Sequence, residues 1–142
     1  LTLADSRYVL VEFRPGDNFI KLSRAVRELV SAGYLPIVAH IERYDCLREK
    51  GRTAELIGLG AYLPMNAGSV LGGIFEKDAR WCRDEITNGR IHFIGTDMHN
   101  TGERSPRMLD AWKKLGKKNE MLRKQIFWIN QKYILKDKTL KR

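Results

Sequence analysis

Apolar residues fall along this chain in two rhythms. Short runs rich in β-favouring residues, YVLVEF at 8 to 13, LPIVAH at 35 to 40, AYLPMN at 61 to 66 and IHFIGT at 91 to 96, read as buried strands. Between them apolar positions recur at helical spacing. Leu22, Ala25, Val26, Leu29 and Val30 predict a helix over 18 to 32, capped by Asp17 or Asn18 and stopped by Gly33. TAELIGLG at 53 to 60 continues the pattern, as do Ala79, Cys82 and Ile86 in a helix over 75 to 87. Pro64 predicts an edge position or a bulge for the third run, and AGSVLGG at 67 to 73 reads as a glycine-rich loop. A short helix follows Pro106, and another covers 117 to 132 with Met121, Leu122, Ile126 and Ile129 placed to dock; beyond about residue 134 the chain is expected to fray.

This alternation defines an α/β chain, parallel strands alternating with helices, whose connections suit right-handed crossovers. An open doubly wound sheet and part of a barrel both satisfy it. With 142 residues, 43% hydrophobic and 30% charged, the chain is long enough for one real core and lacks the composition of a disordered segment. No apolar run approaches the ~20 residues that cross a bilayer, and no basic-then-apolar leader opens the sequence, so a cytoplasmic protein without a transmembrane segment is expected. Cys46 and Cys82 are too few for a disulfide framework and read as reduced, structural residues. Cys46 and Arg52 do stand at the C-x5-R spacing of cysteine-dependent phosphatases. The intervening LREKG is bulky, holds one glycine and reads as helical, and nothing beside the thiol would lower its pKa, so that mechanism is set aside.

Charge changes the picture only at one end. Of the net +9, seven charges lie in residues 117 to 142, where nine Lys or Arg face Glu120 and Asp137. This separates a basic helical C-terminal segment, 117–142, from the α/β portion, 1–116. Such a segment is most simply a solvated face, and specific nucleic-acid binding is not expected of it.

Candidate chemistry gathers where the strand runs end. Glu12, His40, Asn66 and the pair Asp97 and His99 all follow apolar runs, and parallel strands open their C-terminal ends on one face. A charge buried there without a partner is costly unless it meets a ligand. Mixed carboxylate and imidazole donors suit Zn, Mn or Fe, and the lack of a cysteine among them favours an open, hydrolytic centre. His92 begins its strand at the opposite end and is excluded as a ligand. Arg43 and Arg104 follow the second and fourth strand ends; the planar donor fork of arginine matches a phosphate dianion, which points to a phosphoester. Asn66 and Ser69 either orient substrate or cap the next helix.

VLVEF (9–13), AHIERY (39–44), MNAGSVLG (65–72) and GTDMHNTGERSPRM (95–108) resemble the C-terminal half of the PHP (polymerase and histidinol phosphatase) superfamily. The nearest branch is that of bacterial metal-dependent protein-tyrosine phosphatases from capsule and exopolysaccharide gene clusters. The resemblance implies a distorted (β/α)7 barrel, with residues 1–116 as its C-terminal portion and divalent ions, often manganese, at the strand ends. It implies Glu12 as a bridging metal ligand, His40, Asp97 and His99 as further ligands, and Arg43 and Arg104 on the phosphate, with Asn66 nearby. Hydrolysis by a metal-activated hydroxide, without a phosphoenzyme, would act on phosphotyrosine in the tail of a polysaccharide-polymerising tyrosine kinase. The family's N-terminal H-x-H motif is absent, since the histidines are His40, His92 and His99. That implies a chain which is a fragment, or is completed by another copy in a homo-oligomer or by another polypeptide. A histidinol-phosphate-like small-molecule phosphatase of the same superfamily, and a non-catalytic half-barrel binding module, stand as alternatives.

Overall fold

β2 (Leu35–Val38) is buried at every residue because it has a strand on both sides. β1 (Tyr8–Val11) runs parallel to it in the register Tyr8 to Leu35 through Val11 to Val38. On its other side Tyr62 bridges Ile37, the Tyr62 N–H donating to Pro36 O at 2.8 Å and the Val38 N–H to Tyr62 O at 2.9 Å. β3 (Pro64–Asn66) then pairs in parallel with β4 (Phe93–Gly95). A computed structural model describes residues 2–71, 76–96, 107–116 and 120–140, with no side chain for Glu76 or Arg107.

Among the described residues the strands thus form two parallel pairs joined by the Tyr62 bridge, in the order 1-2-3-4, without the reversal that a doubly wound sheet requires. Pro64 marks an edge, as the sequence suggested: among the described residues β3 pairs only with β4, in a two-stranded sheet. It opens β3 at the place where the ladder to β2 would next need an N–H; proline has none, and the β2–β3 bonding stops at Tyr62.

The helices follow their spacing. α1 (Phe19–Ser31) is capped by Asn18, whose Oδ1 accepts from the Lys21 N–H at 2.9 Å. α2 (Arg52–Gly58) ends before Gly60, which has φ +112° and lies so close to α1 that a Cβ would stand 2.7 Å from Val30 Cγ2. The expected glycine-rich loop begins instead as a helical turn, α3 (Ala67–Val70), because Ala67 and Val70 are both buried in the core. α4 (Glu76–Thr87) and α5 (Arg107–Lys114) complete the set before the basic segment. Leu22 and Val26 of α1, Leu56 of α2, Cys82 and Ile86 of α4 and Ala111 of α5 pack with Val38, Leu63, Met65 and Ile94 from one face of the strands. Within that core Glu85 is buried but fully engaged, accepting from Thr53 Oγ1 at 2.7 Å and from two nitrogens of Arg90 at 2.8 and 3.0 Å.

The opposite face gathers Tyr8, Ile37, Tyr62 and Phe93 around Leu140. The described residues beyond 134, 135 to 140, are held in place rather than frayed. The Tyr8 hydroxyl donates to Lys138 O at 2.8 Å and accepts from the Leu140 N–H at 3.2 Å, while the Tyr62 hydroxyl donates to Leu140 O at 3.0 Å. Burial pushes the Tyr8 hydroxyl up to about 12, so it keeps the proton that this arrangement uses. Before this end come α6 (Glu120–Lys124), a π-helical turn over Gln125–Ile129 and α7 (Asn130–Leu135). The extra residue of the π turn shifts the helical phase: Phe127 is buried with Ile126, whereas Met121 and Ile129, expected to dock, are 85% and 40% exposed. No helix of the described residues is long and apolar enough to cross a membrane.

Candidate active site

Glu12 and His40 sit just beyond the last residue of a strand, and Asn66 is the last residue of β3. Glu12 follows β1, and His40 follows β2 after the buried Ala39. His40 takes up the left-handed conformation, φ 56° and ψ 39°, an uncommon choice for a side-chain-bearing residue. It starts a tight 3-10 turn, Ile41–Arg43, closed by the Arg43 N–H donating to His40 O at 2.9 Å and nailed into the core by the fully buried Ile41. The outcome is that His40 Nε2 lies 3.4 Å from Glu12 Oε1. Tyr44, also buried, fixes the other partner: its hydroxyl oxygen accepts from the N–H of Phe13, next to Glu12, at 3.0 Å, and its ring meets that of Phe13 edge-on. Burial raises the Tyr44 pKa, which keeps the hydroxyl neutral in this role.

Glu12, His40 and Asn66 line one cleft of about 260 Å³, together with Glu42, Pro64 and Thr96. The stop that Pro64 imposes on the β2–β3 ladder lies in the wall of this cleft. Asn66 acts as a cap, its Oδ1 accepting from the Gly68 N–H at 2.8 Å, while it also faces the cleft. Arg43, the last residue of the same turn, is exposed and is not among the residues that line the cleft. Thr96 brings the end of the fourth strand to the same place; Asp97, His99 and Arg104, which follow it, lie outside the described residues.

An oxygen and a nitrogen donor bound to one divalent ion at about 2.1 Å stand roughly 3.0 to 3.4 Å apart, for octahedral to tetrahedral angles. The Glu12 and His40 atoms, 3.4 Å apart, fit that spacing. Among the described residues no three His, Cys, Asp or Glu side chains come together as a metal-holding group, so this pair alone is an incomplete set. His92 is absent from the cleft: its Nδ1 accepts from the Leu63 N–H at 3.0 Å, and its carbonyl accepts from Asn130 Nδ2 at 2.6 Å. Nor does Cys46 form a phosphate loop. Burial raises its thiol pKa, and Arg52 lies over the Phe19 ring at 4.4 Å while paired with Glu49 and Glu55.

From the sequence Glu42 and Tyr44 have no role of their own, because neither ends an apolar run. The signal available was their position in the same IERYD turn as His40 and Arg43.

Residues 1–136 match the family model described as capsular polysaccharide synthesis, CpsB/CapC. The chain is 31% identical over 146 residues to the tyrosine-protein phosphatase CpsB of Streptococcus pneumoniae, covering 98% of this chain and 60% of that relative. It is 33% identical over 108 residues to the tyrosine-protein phosphatase YwqE of Bacillus subtilis, covering 74% of this chain and 42% of that relative. Among solved structures, one from a study of YwqE and CpsB as metal-dependent tyrosine phosphatases superposes with a TM-score of 0.85 at 26% identity, over 100% of this chain and 58% of the other. The chain thus spans at most 60% of the length of these relatives.

Proposed function

As the chain belongs to the CpsB/CapC family of capsular polysaccharide synthesis, we propose that it contributes the C-terminal portion of a PHP-type (β/α)7 barrel that hydrolyses phosphotyrosine in a protein. The observation that carries this reading is the Glu12–His40 pair, 3.4 Å apart at the ends of neighbouring parallel strands and facing a cleft. Glu12 and His40, with Asp97 and His99 of the following strand end, would hold divalent metal, manganese before zinc or iron. Bound metal supplies an activated water nucleophile and neutralises charge on the phosphoryl group. Arg43 and Arg104 would clamp the phosphate, donating to oxygens that gain charge as the ester bond breaks, and Asn66 would contact the substrate from the far wall. The substrate would be a phosphotyrosine peptide, such as the tail of a tyrosine kinase that controls polysaccharide synthesis. A second copy or a complementing chain would supply further ligands.

The test is metal content together with manganese-dependent hydrolysis of a phosphotyrosine peptide by the purified chain. Stoichiometric metal, and turnover lost by more than 100-fold in His40→Ala and Asp97→Ala, is the expected result; residual turnover at that level follows from removing part of a cooperating set. Activity unchanged in both variants would overturn the assignment.

A further inference from the structure

We propose that Glu42 is a positioning residue that clamps the turn carrying His40 and Arg43 onto the start of α3. The idea rests on the metal-site reading of the same cleft. Glu42 Oε1 accepts from the backbone N–H of Asn66 at 3.2 Å and from Ser69 Oγ at 3.1 Å, tying the turn after β2 to residues on the far side of the cleft. The main chain of Glu42 is held as well: its carbonyl accepts from Arg48 Nη2 at 2.8 Å, and Arg48 is itself fixed by Asp78 at 3.1 Å and by the Trp81 ring 4.1 Å below its guanidinium. Glu42 Oε2 is buried with no hydrogen-bond partner among the described residues. A carboxylate with one oxygen doubly engaged and the other desolvated is costly, and it persists where the surroundings hold it in place.

The consequence for the site is geometric. His40 sits in a left-handed conformation that its own side chain does not favour, so something beyond it must hold the turn. Glu42 stands two residues on and reaches across the cleft to do so. A side chain between two candidate site residues that bonds to neither is placed to orient both, as partners around metal ligands commonly do.

Glu42→Ala and Glu42→Gln separate the roles, with Ser69→Ala as a milder probe. Manganese affinity is measured by titration calorimetry, and the His40 ring nitrogens and the Asn66 amide are followed by NMR on the metal-free chain. Glutamine retains a carbonyl oxygen that accepts from Asn66 and Ser69, so Glu42→Gln is expected to keep the parent's affinity and spectra. Glu42→Ala is expected to lose about 10- to 100-fold in affinity and to shift the His40 ring and Asn66 amide signals. Ser69→Ala, which keeps the core intact, should shift the same signals by a smaller amount. Unchanged His40 and Asn66 signals in both alanine variants would overturn the clamp. A fall in Glu42→Gln as large as in Glu42→Ala would overturn it too, by making the carboxylate a direct ligand. If the parent takes up no manganese, the metal reading fails by itself, and the NMR comparison still decides the clamp.

Discussion

A methyl group added at Gly60 meets two obstacles at once, a backbone at φ +112° and Val30 Cγ2 at 2.7 Å. Gly60→Ala is expected to cost about 2 to 3 kcal/mol, read as a lower midpoint in urea. Val30→Ala placed on top should recover the steric part and leave the conformational part. Glu85 makes a second single-residue case. Arg90→Ala leaves its buried carboxylate with Thr53 alone and should destabilise by about 3 kcal/mol, more than Arg90→Ala made together with Glu85→Leu. Glu12 and His40 were legible in the sequence because each breaks an apolar run with a group that needs a reason to be there. Glu42 was not, since its partners Asn66 and Ser69 are 24 and 27 residues away and no local pattern announces them.

The elements show where periodicity carries information and where it stops. α1 and α4 lie where apolar spacing puts them, yet the π turn at Gln125–Ile129 is invisible to a reading that assumes one helical period throughout. That turn sets Asn130 and Gln131 so that their amides donate to His92 O and Ile94 O, at 2.6 and 3.3 Å. Deleting Ile129 restores an unbroken α-helical phase and should cost about 2 kcal/mol through these two bonds, seen as a lower thermal midpoint. The last described stretch is tied to β1 by Asp137, whose carboxylate accepts from the Arg7 N–H at 2.8 Å and from Arg7 Nε at 3.1 Å. The Arg7 backbone hydrogen bond first, and its side chain next, lower the Asp137 pKa. The stabilisation is therefore present above the ordinary aspartate range and lost as pH falls through the lower, folded-state value. The Arg7 amide resonance should titrate with a midpoint below that of a free aspartate, and Asp137→Asn should abolish the titration. Pro64 was legible for a physical reason: proline excludes a ladder bond, and the side of β3 that faces β2 carries none beyond Tyr62.

For the whole molecule, the alternation of parallel strands with helices was accessible without coordinates, whereas the strand order, compatible with a sheet or a barrel, and the two apolar clusters, where one core was expected, were not. What alternation could not convey is how residues far apart in the chain close on one another. Leu10, 47% exposed, lies on the face that forms the cleft, and β1 has beside its outer edge only the bridge from Thr2 to Val9 among the described residues. Sedimentation should show concentration-dependent self-association, weakened by Leu10→Lys. Tyr8 and Leu140, joined through a single hydroxyl although 132 positions separate them, impose a condition on the order of events in the cell. On the ribosome β1 emerges before residue 140 and cannot finish packing until residue 140 has left the exit tunnel. Until then Tyr8 and Tyr62 remain uncovered, and the nascent segment is open to holding chaperones and proteases.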